Sequence, residues 1–330
     1  MVTNLAGKNV LVTGAGGFIG SHLTESLVKN GCNVKALVHY NAMSNIANLT
    51  YLEKDILSEI EIVFGDVQDG YFCDNLIEDI DIIFHLAALI GIPYSYVAPS
   101  SYVQTNIIGT VNLLNASLKN NIEHFLHTST SEVYGSAIYK PIDEKHPLQG
   151  QSPYSATKIG ADKLVESYYR SFELNATVMR PFNTFGPRQS FRAVIPTIVM
   201  QAIKSSKIYI GSTTPKRDLT FVLDNVNAYL QAAGRTNLAG ETIHFGTGKF
   251  YSVGEVIEIV SRILDKELEI IEDKARIRPE KSEVMELLCD NTKAKDLLGW
   301  TPQYDLEKGL REVINFFKKQ GIDFSNKYHI

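Results

Sequence analysis

The sequence predicts an α/β protein, a doubly wound parallel sheet with a smaller, mixed α/β lobe. Short apolar runs of strand length alternate with amphipathic stretches of helix length through the first half of the chain. The first run closes in a glycine-rich turn that opens the first helix. After about residue 180 the alternation loosens, and Pro181, Pro187, Pro196 and Pro215 interrupt it. Composition agrees: 330 residues, 44% hydrophobic and 21% charged, are enough for a sizeable core and exclude extended disorder. Thirty-two basic against 37 acidic residues give a net charge of −5, which offers nucleic acid no electrostatic footing. Cys32, Cys73 and Cys289 are far apart and follow no CxxC spacing, so neither a disulfide framework nor a metal site is expected. The chain shows no basic-then-apolar leader and no apolar run of about 18 residues, so cytoplasmic localisation without a membrane partner is expected.

The elements follow in order. Asn9-Val10-Leu11-Val12-Thr13 reads as a buried strand, and a helix with Leu23, Leu27 and Val28 on its apolar face comes next. Val34–Val38, Glu61–Phe64, Asp81–Phe84 and His124–His127 repeat the strand pattern, with helical stretches between them. Such βαβ units build a parallel sheet with helices on both faces. Phe221-Val222-Leu223 and Thr242–Phe245 read as late strands or connectors, some returning to the sheet; from Val253 the tail reads as mainly helical, with one strand at Leu268–Ile271. The expected division is 1–181 for the sheet domain, with 217–250 returning to it, and 182–216 plus 251–330 for the smaller lobe.

The first turn is Gly14-Ala15-Gly16-Gly17-Phe18-Ile19-Gly20, a GxxGxxG pattern at Gly14, Gly17 and Gly20. Glycine there allows a tight turn and close backbone approach to a pyrophosphate, whose charge meets the free amides at the start of the helix, at Phe18 and Ile19. A dinucleotide, NAD or NADP, is therefore expected on a Rossmann-type sheet. The second strand ends in Val38-His39-Tyr40-Asn41, with neither the acid that would select NAD nor an arginine for NADP. Asp66, after the third strand, is a candidate acceptor for the adenine amino group; the alternative is a turn aspartate bonding its own backbone.

Tyr154 and Lys158 are four apart, hence on one helix face. An ammonium beside a phenol favours the phenolate, which makes a usable base. The spacing alone is weak, since Tyr304 and Lys308 share it. Only the first pair has Thr130 twenty-four residues upstream, just after a strand; the equivalent position for Tyr304 is Glu280.

Together with Gly65-Asp66-Val67, His85-Leu86-Ala87-Ala88, Thr128-Ser129-Thr130-Ser131-Glu132 and Arg180-Pro181-Phe182-Asn183, these motifs resemble the extended short-chain dehydrogenase/reductases that act on nucleotide sugars. The resemblance implies cofactor contacts at Asp66, Val67, Leu86, Ala87, Ala88, Tyr154 and Lys158, with His85 a packed residue shaping that pocket. It implies that Tyr154 and Lys158 assist hydride transfer at a sugar carbon while Thr130 hydrogen-bonds the reacting oxygen. Glu132 points within the family to a 4,6-dehydratase. Oxidation at C4 acidifies the C5 proton, and a carboxylate then removes it as water leaves from C6. Ser131 stands where glucose-type dehydratases have an aspartic acid, so Glu132 serves as both base and acid, as in the GDP-mannose type.

Asn183 is expected at the sugar diphosphate. Of the arginines near the smaller lobe, Arg188, Arg217 and Arg278 are candidates for clamping the diphosphate, whereas Arg192 reads as a surface residue. The run from Arg180 to Pro196, with Ile92-Pro93-Tyr94-Ser95-Tyr96, is similar to dehydratases of the legionaminic-acid pathway, which implies a GDP-linked N-acetylglucosamine. A UDP-glucuronate decarboxylase and a nucleotide-sugar 4-epimerase are the alternatives on this scaffold, and a non-catalytic NAD(P)-binding regulator is the alternative of another class. The stretches Ser100–Asn120 and Tyr154–Phe172 suit the four-helix homodimer interface common in the family.

Overall fold

The computed structural model describes residues 5–276 and 284–321. Its strands are β1 (Asn9–Thr13), β2 (Asn33–His39), β3 (Ile60–Gly65), β4 (Ile82–His85), β5 (His124–Thr128), β6 (Ala176–Pro181), β7 (Asn183–Phe185), β8 (Lys207–Ile210), β9 (Lys216–Phe221), β10 (Thr242–Phe245), β11 (Phe250–Ser252), β12 (Glu269–Glu272) and β13 (Glu286–Leu287). Seven of them form one parallel sheet in the order β10-β6-β5-β4-β1-β2-β3. This is the Rossmann-type sheet the alternation predicts.

Burial along β1 shows why the sheet is doubly wound. Val10 and Val12 pack with Leu23 and Leu27 of the helix Phe18–Lys29 and with Val226 and Tyr229 of the helix Val222–Ala233. Leu11, pointing the other way, packs with Cys73, Leu113 and Val165 from three helices on the opposite face. Alternate residues of one strand thus feed two separate layers, which is why its five residues carry no clean polar face.

The strands from β7 onward, β10 apart, build a second lobe, and β9 joins it although the sequence reading has 217–250 returning to the main sheet. β9 pairs with β7, β11 and β13, while β8 and β12 make a separate two-stranded ribbon. Asp218, fully buried on β9, holds this lobe together. One oxygen accepts from the Thr247 amide and hydroxyl at 2.7 Å each, and the other from the Gly248 and Cys289 amides at 2.9 and 3.2 Å. β10 leaves the lobe and rejoins the main sheet beside β6. One expectation fails locally: of Phe221-Val222-Leu223 only Phe221 is strand, and Val222 opens a helix. A short apolar run carries no period that separates the two.

Candidate active site

The carboxyl ends of β1, β4 and β5 define the site. At the end of β1, Gly14 has φ +70°, and a Cβ there would lie 2.9 Å from the Ala87 amide nitrogen. A Cβ on Gly20 would lie 2.2 Å from the Gly14 carbonyl oxygen. The two glycines therefore let turn, helix and the β4 loop close on one another. Gly17 caps the helix without a side chain, leaving the first-turn amides of Phe18 and Ile19 without intrahelical partners. This cradle fits a pyrophosphate. Leu86 and Ala87 form its neighbouring wall, and the Thr13 hydroxyl holds both by accepting from their amides at 3.1 Å; Ala88 follows, half-buried. Val67 is buried and meets Gly109 so closely that a Cβ there would lie 2.6 Å from Val67 Cγ2.

Asp66 is a turn aspartate: its Oδ1 accepts from the Gln68 amide at 3.0 Å, while Oδ2 lies 3.4 Å from Nε2 of His39, the last residue of β2. His85 is a packed residue, its ring nitrogens at 2.8 Å from Thr13 Oγ1 and 3.0 Å from Thr110 Oγ1.

Tyr154 and Lys158 sit on the helix Pro153–Phe172, whose start is fixed by a reciprocal cap. Ser152 Oγ accepts from the Ser155 amide at 3.1 Å, and Ser155 Oγ accepts from the Ser152 amide at 3.0 Å, with Pro153 at the first helical position. That cap puts Tyr154 in the first turn, facing the end of β5. There Thr130 accepts from the Glu132 amide at 3.2 Å and opens the single 3₁₀ turn Ser131–Tyr134. The Thr130 hydroxyl and the Glu132 carboxylate are both near enough to act on the Tyr154 phenol, the first favouring and the second opposing its charged form. Thr130, Glu132, Tyr154 and Lys158 are therefore brought together; Ser131, 2% exposed, points into the protein.

Burial pushes the Tyr154 phenol well above its ordinary value, the Thr130 hydroxyl offsets part of that, and Glu132, Asp162 and Tyr102 add to it. Burial likewise pulls Lys158 down to about 8, against the raising charge of Asp162 and with the lowering charge of Arg180. The protein alone does not bring Tyr154 toward neutrality, because desolvation of the phenolate outweighs the Thr130 hydroxyl.

Two groups of residues carried no sequence signal of function. Asn106 is buried in a π-helical turn, Val103–Ile108; its Oδ1 accepts from the Leu89 amide at 2.9 Å and its Nδ2 donates to Thr157 Oγ1 at 3.1 Å. It ties the β4 loop to the helix of Tyr154, and an asparagine inside a helical run is the one hint of it. Beneath Lys158, His127, Ser129, Asp162, Arg180 and Tyr134 form a buried polar cluster.

The predicted substrate residues fall in different places. Asn183 opens β7 at the edge of the cleft, half-buried, with Oδ1 lacking a hydrogen-bond partner among the described residues. Arg217 on β9 donates to the Lys216 and Met285 carbonyls and lines a small apolar pocket with Leu219 and Tyr251. Arg188 turns to the sheet domain, where NH2 meets Glu25 Oε2 at 2.6 Å. Arg192 is exposed, and its charge reaches Tyr102, whose ring lies edge-on to Tyr154 with centroids 6.3 Å apart. Arg278 lies outside the described residues.

Fold and site together define an enzyme of the short-chain dehydrogenase/reductase class, of the kind that works on nucleotide sugars. The sequence profile of the GDP-mannose 4,6 dehydratase family matches residues 11–313, and the chain belongs to that family. It is 31% identical over 317 residues to a dTDP-glucose 4,6-dehydratase of Actinoplanes sp., covering 94% of this chain and 97% of that one. Among solved structures, DesIV, a dTDP-glucose 4,6-dehydratase of Streptomyces venezuelae with NAD and TYD bound, superposes with a TM-score of 0.84 at 27% identity, covering 94% and 97% of the two chains. The UDP-glucuronic acid 4-epimerase of Bacillus cereus, in complex with UDP-glucuronic acid and NAD, superposes with a TM-score of 0.86 at 29% identity over 94% and 99%. Homologous structures thus contain NAD, and the family's dehydratases and epimerases resemble this chain about equally. Among the described residues no helix is long and apolar enough to cross a membrane.

Proposed function

We propose that this enzyme is an NAD-dependent nucleotide-sugar 4,6-dehydratase. The observation that carries the reading is Glu132, a half-buried carboxylate in the turn after β5 whose charge is felt at the Tyr154 phenol. A 4-epimerase needs one base at the C4 hydroxyl, and Tyr154 with Thr130 supplies it. A second acid–base group beside them serves a second proton, the one on C5. Tyr154 takes the C4 hydroxyl proton, Thr130 orients that oxygen, and Lys158 favours the phenolate. Glu132 then removes the C5 proton and passes it to the C6 hydroxyl as that leaves as water. When bound, NAD supplies the hydride acceptor and donor for the two redox half-steps and ends as it began. Phe18 and Ile19 amides would hold its pyrophosphate and Asp66 its nucleoside end, while Asn183 and Arg217 reach toward the substrate's diphosphate.

The substrate we favour is GDP-N-acetylglucosamine, on the similarity of the Arg180–Pro196 and Ile92–Tyr96 segments to the legionaminic-acid-pathway dehydratases. A homodimer through the helical stretches Ser100–Asn120 and Tyr154–Phe172 belongs to the same reading. The test is a panel of GDP-, UDP-, dTDP- and CDP-sugars incubated with NAD-loaded enzyme in deuterated water and followed by NMR. A dehydratase yields a 4-keto-6-deoxy sugar with deuterium at C5. A C4-inverted sugar without deuterium at C5 would make the enzyme an epimerase, the outcome that the Bacillus cereus likeness favours.

A further inference from the structure

Lys158 is 3% exposed, and a buried ammonium without compensation gives up its proton. The groups around it come from three elements. Tyr154 and Asp162 share its helix at i−4 and i+4, placing three functional side chains on one face. His127 reaches it from β5, with Nε2 3.3 Å from Lys158 Nζ, and that same Nε2 lies 3.3 Å from Asp162 Oδ1. Arg180 comes from β6 and His85 from β4; the His85 and His127 ring centroids lie 5.4 Å apart. The charge of Asp162 favours the ammonium, and Arg180 disfavours it.

Asp162 is itself tightly held. Its Oδ2 accepts from Ser129 Oγ at 2.6 Å and from Arg180 NH2 at 2.7 Å, and Arg180 Nε donates to the same Ser129 hydroxyl at 3.3 Å. Arg180 also donates to the Tyr134 hydroxyl. Oδ1 is thereby left facing His127. The arginine holds the Asp162 carboxyl well below the usual carboxylate range despite its burial. Burial pulls His127 down to about 4, so the ring is neutral near pH 7, and its Nδ1 has no hydrogen-bond partner among the described residues. The neutral ring's Nε2 accepts from Lys158 while that side chain is charged, so it has no proton for Asp162 Oδ1, which has no hydrogen-bond partner among the described residues and acts on the ammonium through its charge.

We propose that Asp162 is a positioning residue for the Tyr154–Lys158 pair: one helix turn beyond Lys158 and facing the same His127 nitrogen, its carboxylate keeps that buried side chain cationic. It touches neither substrate nor cofactor. The proposal rests on the reading of Tyr154 and Lys158 as the redox pair.

The experiment is single-turnover cofactor reduction by the NAD-loaded enzyme between pH 6 and 10, using the sugar of the four-member panel that reduces it. Hydride transfer needs the ammonium, so the rate falls as pH rises through the Lys158 pKa. Asp162→Asn removes the raising charge, so the alkaline limb moves to lower pH by about one unit or more, with KM for the nucleotide sugar unchanged. His127→Leu, which leaves the Asp162–Arg180 pair intact, moves the limb the same way and covers the case in which Asp162→Asn does not fold. A uniform loss of rate with the limb unmoved in the folded variants makes the cluster purely structural and overturns the proposal, as does an unchanged profile. Tyr154→Phe run alongside separates the two levels. If it still reduces the cofactor, the redox-pair reading itself is wrong; if it does not, an unmoved limb counts against Asp162 alone.

Discussion

Two tyrosine–lysine pairs with the same spacing sit in this chain, and the structure gives them opposite surroundings. Tyr154 and Lys158 are 7% and 3% exposed and lie at the carboxyl end of the parallel sheet. Tyr304 precedes the helix Leu306–Gln320, stacks on Phe221 at 4.3 Å, and carries Lys308 Nζ 3.9 Å from its ring centroid at the surface. In the second pair the cation folds back over the face of its own tyrosine ring. In the first it is buried and turns to His127, with the charge of Asp162 beside it. Spacing sets which face two side chains share; what lies across from that face decides whether they do chemistry.

The largest contrast is in the tyrosines. Tyr154→Phe removes the hydroxyl to which the proposed mechanism assigns the C4 proton, and single-turnover cofactor reduction should fall by roughly 10²- to 10⁴-fold. Tyr304→Phe keeps the stacked ring and should leave that rate within about twofold. Equal losses in stopped-flow absorbance at the reduced-nicotinamide band would mean the buried pair holds no special role. Next comes Glu132→Gln, which cuts between the two chemistries the family performs. As a C5 base, Glu132 acts after the first hydride transfer. The variant should therefore still reduce bound cofactor and bind the nucleotide sugar, yet lose product by about 10²-fold or more, with C5 deuteration lost in parallel. Product at the wild-type rate would remove Glu132 from the reaction and leave an epimerase site.

How much of this was legible in the sequence follows from how local each signal is. β1 to β5 show as apolar runs because a parallel strand covered on both faces needs nothing else. The phosphate turn shows because Gly14 and Gly20 have no room for a Cβ, and Thr130, Tyr154 and Lys158 show because a strand end and one helix turn bring them together. The polar cluster does not show. His127, Asp162 and Arg180 stand on three elements, 35 and 18 residues apart in sequence, and meet only because β5 and β6 are neighbours under one helix. Nor does the pairing of Asp66 with His39, which depends on β3 lying beside β2. The ion pair of Arg188 is hidden for the same reason: its partner, Glu25, is 163 residues away on the first helix.

The smallest expected effect completes the contrast. Lys308→Ala removes a cation–π contact at the surface and a long 3.5 Å bond to the Gln303 carbonyl. A contact of that kind contributes about 0.5–1 kcal/mol where water can reach it. What holds the neighbouring turn lies elsewhere. Asp224 accepts from the Gln303 and Tyr304 amides at 2.9 and 3.1 Å, and the Trp300 indole donates to the Asp224 carbonyl at 2.9 Å. Removing Lys308 leaves all three in place, so denaturant unfolding should show a loss of at most about 1 kcal/mol and the cofactor-reduction rate should not change. A loss of several kcal/mol would mean that the Lys308 contact, and not Asp224, fixes that turn. A loss of rate would mean that the surface pair communicates with the cleft, and burial would no longer be what separates the two pairs.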